Sequence, residues 1–235
     1  IEKASVLGNA NVGILAGQSH GGIIENCYVA NSTIAGRDHV GSLIGQMEGN
    51  NGAGSQIKNC YSTANVYSRE NQGGGLVGTS TAGAGSILNC YFAGRVEVSS
   101  QRIGGILALQ DNDDLLTITN CTNLAAQLVC GQIYRIASVK ADKSALTNNY
   151  ALSTLPAPNG TDLEKGIDVT AERAKEKAFY SDDLKWVFDD ATWKWVDGIY
   201  PVLAWQKEAE TTTPLVFLSQ SAPVLALKKG DNIDL

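Results

Sequence analysis

Apolar residues in the first 151 positions come in short, mostly glycine-bracketed runs. Each run is followed, after a polar stretch, by a five-residue box of the form Ile/Leu-x-Asn-Cys-Tyr. The runs are GILAG at 13–17, GSLIG at 41–45, GGLVG at 74–78, GGILA at 104–108 and GQIYR at 131–135. The boxes are IENCY at 24–28, IKNCY at 57–61, ILNCY at 87–91, ITNCT at 118–122 and LTNNY at 146–150. A recurrence at about 30 residues marks a solenoid, in which one repeat cannot bury its own apolar face and the next covers it. Each repeat predicts two strands, one over the run and one from the box onward (29–34, 62–67 and 92–98), with Gly/Ser/Asn-rich loops of varying length between them. Stacking would bury Leu15, Leu43, Leu76, Ile106 and Ile133 as one strip. The expected fold class is all-β: a parallel β-helix of about five coils over 1–151, right-handed by the usual crossover preference.

The box residues predict a structural frame. Cys27, Cys60, Cys90 and Cys121 are 33, 30 and 31 residues apart, so one repeat per coil would set them in a ladder. Rungs about 4.8 Å apart are wider than the roughly 3.8 Å Cβ separation a disulfide prefers, so buried free thiols are expected. Asn149 takes the cysteine position in the fifth box, and Cys130 lies outside the ladder. Asn26, Asn59, Asn89, Asn120 and Asn148 predict a second ladder of stacked amides at a bend, because Ile57 and Cys60 cannot both face inward from a straight strand.

Beyond Tyr150 the composition changes. Residues 170–180 predict a short helix with Thr170 as N-cap. All four tryptophans follow, at 186, 193, 195 and 205. An aromatic block after an array suits a cap, at 152–210, that covers the last coil and its open β edge. Residues 211–235 carry two apolar runs (215–218 and 224–227) and read as a linker and strand material leading to a further domain.

Bulk properties exclude some functions. Net charge is −6 with no basic cluster, which argues against nucleic-acid binding. No apolar run approaches the roughly 20 residues that span a bilayer. The chain opens at Ile1 without a signal peptide and reads as a mature or excised fragment.

The GGLVG run at 74–78 followed by ILNCY at 87–91 resembles the GLUG repeat of bacterial cell-surface and secreted proteins. The closing Trp193 and GIYPVLAW at 198–205 are similar to the segment that ends such arrays, so the resemblance covers roughly 1–206. Ala108 and Arg135 in place of the last glycine, Thr122 in place of Tyr and Asn149 in place of Cys depart from the pattern. The resemblance implies an extracellular β-helical module, of the kind found in adhesin-like proteins and beside the catalytic domain of some bacterial immunoglobulin proteases. It implies no catalytic residues.

Candidate chemistry is sparse. Asp111, Asp113 and Asp114 form the best carboxylate cluster but lack calcium-loop spacing. Asp182-Asp183 and Asp189-Asp190 flank Trp186 and read as turn or capping residues. His20 and His39 show no metal-ligand spacing, and no nucleophile elbow or phosphate loop occurs. Trp193 and Trp195, with the three aspartates, are the candidate ligand contacts; no catalytic residue, metal or cofactor is expected. The functional expectation is a non-catalytic extracellular or cell-surface module that presents loops or spaces other domains. Its expected partner is a host glycan or an extracellular protein, and the chain is expected to be a monomer or part of a larger multidomain protein. The alternative is a polysaccharide lyase or hydrolase of β-helix type.

Overall fold

The computed structural model describes residues 1–49, 54–83, 85–111, 113–140, 142 and 144–207; the expected linker at 211–235 lies outside them. The chain winds through five coils whose strands stack in parallel, in register, into five sheets. One sheet stacks Ser5–Leu7, Thr33–Gly36, Asn65–Ser68, Arg95–Val98 and Gln127–Val129, which aligns Val6, Ile34, Val66, Val96 and Leu128 in a column. Another aligns Ile24, Ile57, Ile87, Ile118 and Leu146 of the boxes. These columns form the core: from the second coil to the fourth their members are fully buried. The solenoid of about five turns expected from the repeat is the fold.

Each full coil has five straight segments rather than the two expected. The stretch predicted at 29–34 divides into Tyr28–Val29 and Thr33–Gly36, and that at 62–67 into Tyr61–Ser62 and Asn65–Ser68. Between them polar side chains turn the backbone: Ser62 Oγ accepts the Ala64 N–H at 3.1 Å, and Asn123 Oδ1 accepts the Ala125 N–H at 3.0 Å two coils on. Segments this short cannot display the period-two alternation by which strands are read.

The box asparagines make the corner. Asn26, Asn59, Asn89, Asn120 and Asn148 all have φ between 52° and 54° or, for Asn59, 51°, the left-handed region that Asn tolerates better than most residues. Their amides stack: Asn89 Nδ2 donates to Asn59 Oδ1 at 3.2 Å, Asn120 to Asn89 at 3.3 Å and Asn148 to Asn120 at 2.8 Å.

The fifth run is offset from the expected alignment. Ile133 pairs with Ile103 and Tyr134 with Gly104, and the Ile106 N–H donates to Ile136 O at 2.9 Å. Ile136, not Ile133, therefore completes the strip of Leu15, Leu43, Leu76 and Ile106. Arg135 stands at the second position of its run, opposite Gly105, rather than at the last. The second position explains why. A Cβ on Gly75 would lie 1.9 Å from Gly105 O, and one on Gly105 would lie 2.1 Å from Arg135 O, because the next coil's carbonyl sits there. Ser42 meets the Gly75 carbonyl by donating a hydrogen bond to it. Among the described residues no further coil stacks on the strand that precedes Arg135, so a long side chain fits.

The expected cap divides in two. Thr161 caps the helical turn Asp162–Lys165 with a reciprocal Glu164 bond, and Ile167–Val169 pairs with Tyr150–Leu152 to cover part of the last coil. The helix expected at 170–180 is instead a 3-10 turn, Arg173–Lys175, and a π turn, Phe179–Asp183, separated at Glu176, which is extended. Thr170 Oγ1 still accepts the Arg173 N–H at 3.2 Å. The break lets Phe179 and Tyr180 turn in against the solenoid, with the Tyr180 hydroxyl donating to Ala174 O at 2.7 Å.

Candidate functional site: the aromatic flank

The tryptophans do not cover the last coil. They run back along the side of the solenoid, over the strands that carry the box tyrosines. Register places Tyr28, Tyr61 and Tyr91 directly above one another, with rings 5.2 Å apart and 12° from parallel, then 4.8 Å apart and 3° from parallel. The fourth box supplies Thr122 instead, and Trp186 fills the flank there: its indole N–H donates to Asn120 O at 2.8 Å and its ring packs 6.2 Å from Tyr91. Trp193 stacks on Trp186 at 4.5 Å and also touches Tyr61 and Tyr91.

The hydroxyls of the stack are met by the same segment. Tyr91 donates to Pro201 O at 2.9 Å and Tyr61 to Gln206 Oε1 at 3.0 Å. At the far end the Trp205 indole N–H donates to Asn26 O at 3.1 Å, its ring 5.6 Å from Tyr28. The segment thus begins against Tyr150 through Phe179, on the fifth coil, and ends on the first. Burial holds the Tyr91 and Tyr180 hydroxyls well above the usual phenol range and lifts Tyr200 to about 12.

On its outer side this segment forms an open depression of about 510 Å³, lined chiefly by Lys177, Phe188, Asp189, Asp190, Trp193 and Trp195. Lys177 Nζ lies 5.0 Å above the Phe188 ring. Asp189 Oδ1 accepts the Ala191 and Thr192 N–H groups at 2.9 and 2.7 Å, which holds its carboxyl below the usual range. The expected ligand contacts fare differently. Trp193 is 1% exposed and belongs to the stack, whereas Trp195 is half-buried with its indole N–H on Asp197 at 2.8 Å.

Asp111, Asp113 and Asp114 lie on another face, in the turn between Leu107–Gln110 and Leu116–Thr119. Asp114 accepts the Gly83 N–H of the third coil at 2.7 Å, and Asp113 pairs with Lys140 of the fifth at 3.0 Å. These carboxylates bridge coils and do not converge with the tryptophans. Among the described residues no group of three His, Cys, Asp or Glu side chains could hold a metal ion.

The cysteines are free and, beyond the first coil, the ladder is buried. The Cys27 N–H donates to Cys60 Sγ and the Cys60 N–H to Cys90 Sγ, both at 3.4 Å. Burial pushes the Cys90 thiol well above its ordinary value, with the Cys121 and Cys60 thiols adding to the shift, so it is no nucleophile.

No protein-family model matches the chain, and no curated protein matches it. Among solved structures, the crystal structure of a "putative immunoglobulin A1 protease" from Bacteroides ovatus matches with a TM-score of 0.64 at 22% identity, over 88% of this chain and 69% of that one. The chain is a β-helix repeat protein. At that identity the likeness concerns the fold, and the β-helix repeat protein's aromatic flank is read from its own residues. Sequence reasoning missed Arg135, Tyr61, Tyr91 and Gln206 as docking residues. The available signal was the box tyrosine, whose loss at Thr122 coincides with the Trp186 contact.

Proposed function

We propose that this β-helix repeat protein is a non-catalytic module of a bacterial cell-surface or secreted protein, related to GLUG-repeat proteins, that holds a rigid spacing between other parts of its parent chain and offers the outer flank for binding. The observation that carries this reading is that the polar groups able to do chemistry are spent between coils. Asp113 and Asp114 bridge to Lys140 and Gly83, the asparagine amides bond one another, and the thiols accept backbone N–H groups. The depression beside Trp195 and Lys177 offers an aromatic surface with charged groups at its rim. That suits weak contact with a host glycan or an extracellular protein.

Glycan arrays and panels of extracellular proteins, probed with the full chain and with Trp195→Ala, test it: binding that the variant loses supports the reading, and binding that the variant retains moves the site elsewhere. The name of the structural neighbour makes proteolysis the enzyme reading to assay, beside turnover of uronate and neutral polysaccharides. Cleavage of immunoglobulin A1 or of a polysaccharide by the purified chain would overturn the non-catalytic reading.

A further inference from the structure

A solenoid coil is held by the coils on either side of it, and coils tied only in that way can open one after another. The strands of this chain follow that rule: among the described residues, every pairing between strands of the coils joins one coil to the next. The flank does not follow it. Between Phe179 and Gln206 it bonds or packs against each coil in turn. On the fifth coil, Phe179 meets the Tyr150 ring edge-on at 5.2 Å, and Asp183 O accepts the Asn148 side-chain N–H at 2.8 Å. On the fourth, Asn120 O accepts the Trp186 indole N–H. On the third, the Tyr91 hydroxyl donates to Pro201 O, and on the second the Tyr61 hydroxyl donates to Gln206 Oε1. On the first, Asn26 O accepts the Trp205 indole N–H. The partners lie 35 residues apart at Asn148 and 179 apart at Asn26, so the flank retraces the solenoid from its last coil to its first.

A slack segment would let neighbouring coils part beneath it. This one is braced. Trp193–Lys194 pairs antiparallel with Val202–Leu203, and Trp193 stacks on Trp186. Gln206, which receives the Tyr61 hydroxyl, is itself fixed: its Oε1 accepts the Leu203 N–H at 2.8 Å and its backbone O accepts the Lys194 ammonium at 3.0 Å. Phe179, Tyr180, Leu184 and Leu203 are fully buried and Gln206 is 3% exposed. Coils therefore cannot part under the flank without breaking its bonds or uncovering these side chains.

We propose that residues 179–206 are a longitudinal clasp that couples all five coils, so that the solenoid opens as one unit rather than coil by coil. A fixed length is what a spacer needs, but the clasp is read from these contacts and does not rest on the spacing role.

The test compares native-state hydrogen exchange in increasing urea for the full chain and its Tyr61→Phe/Trp205→Ala double variant. The variant removes the flank's hydrogen bonds to the first two coils and leaves Gln206 bonded to Leu203. The probes are the equivalent amides of Thr63, Ala93 and Leu124, which donate to Val29 O, Ser62 O and Phe92 O of the coil before at 2.9, 2.8 and 2.7 Å. In the wild type their protection should agree within about threefold and share one urea dependence, because one opening exposes all three. In the variant Thr63 should exchange about tenfold or more faster than Leu124. A gradient of about tenfold from Thr63 to Leu124 already present in the wild type overturns the inference, and that arm needs no variant. Rates unchanged in the variant, or raised equally at all three amides, also overturn it, since the coils would then be coupled without the flank. The Trp195→Ala binding assay reads a side chain outside these bonds, so this inference and the functional reading fail separately.

Discussion

Asn149 Oδ1 accepts the backbone N–H of Cys121 at 2.9 Å while its Nδ2 donates to Ile118 O at 2.8 Å. One coil earlier the Cys121 thiol donates to the equivalent Ile87 O at 3.6 Å, and earlier still Cys90 Sγ accepts the N–H of Cys60. A thiol and an amide thus serve the same two backbone partners, the amide with shorter bonds. Asn149→Cys should therefore cost less than about 1 kcal/mol, whereas Asn149→Ala takes the acceptor from the buried Cys121 N–H and the second donor from Ile118 O and should cost about 1–3 kcal/mol. Urea midpoints of the two variants check the difference.

Gly75, second in its run, and Gly131, first in its run, should respond oppositely. A Cβ on Gly75 meets Gly105 O at 1.9 Å and Phe92 Cγ at 2.6 Å, both held by stacked coils, while one on Gly131 meets nothing within 4 Å. Gly75→Ala should destabilise by on the order of 4 kcal/mol or prevent folding. Gly131→Ala should be neutral or stabilise by up to about 1 kcal/mol by restricting the unfolded chain. Thermal melts of both, read by far-ultraviolet dichroism, decide it.

What the sequence made legible follows what repeats. The coil number, the thiol ladder and the asparagine corner were readable because Cys60, Cys90, Asn59 and Asn89 recur with neighbours that recur too. The flank was not, because its partners meet only in space: Trp205 touches Asn26 across 179 residues. The fifth run was misaligned for a related reason. Gly131 imitates the run's first glycine, where an added Cβ would meet the coil's own carbonyl three residues on, as at Gly74 and Gly104 (1.7 Å from Val77 O and 1.8 Å from Leu107 O); the next coil's carbonyl governs the second position, and among the described residues no further coil imposes it at Arg135.

Arg135 closes the end of the array. Its guanidinium donates to Lys165 O at 2.9 Å, Gly166 O at 3.1 Å and Asp168 Oδ1 at 2.7 Å, and its side chain is 7% exposed against 67% for Asp168. Most of its contribution lies with the carbonyls, since an ion pair whose acid is solvated is worth little. Asp168→Asn should cost less than about 1 kcal/mol, and Arg135→Met about 2–4 kcal/mol through carbonyls left without a donor. Hydrogen exchange at Ile167–Val169 should accelerate only in the arginine variant.

Thr122 departs from the box tyrosine and is fully buried beneath the flank. Restoring the repeat pattern with Thr122→Tyr would place a ring where Trp186 packs on Tyr91 and bonds Asn120 O. The change should therefore destabilise by about 1–3 kcal/mol, although a repeat consensus favours it. Tryptophan fluorescence should shift to the red as Trp186 and Trp193 are displaced; a more stable variant with unchanged emission would show that the flank has room for a fourth tyrosine.

The buried phenols of the flank set an alkaline limit on stability. Burial raises the Tyr91 and Tyr180 hydroxyls well above the ordinary value and Tyr200 to about 12, so the folded chain holds these protons more tightly than the unfolded chain, whose phenols ionise near 10. The stabilisation is therefore complete below pH of about 10 and is lost as pH rises from there through the folded values. Unfolding midpoints should be insensitive to these groups between about pH 7 and 9 and fall steeply between about 10 and 12. Tyrosinate absorbance from the three should appear only as near-ultraviolet dichroism disappears. Tyr91→Phe gives up the hydroxyl bond to Pro201 O, about 1 kcal/mol at neutral pH, and should make the alkaline fall shallower because one of the resisting phenols is gone. Ionisation of all the tyrosines near pH 10 with the dichroism intact would mean that the aromatic flank opens to solvent without unfolding the solenoid.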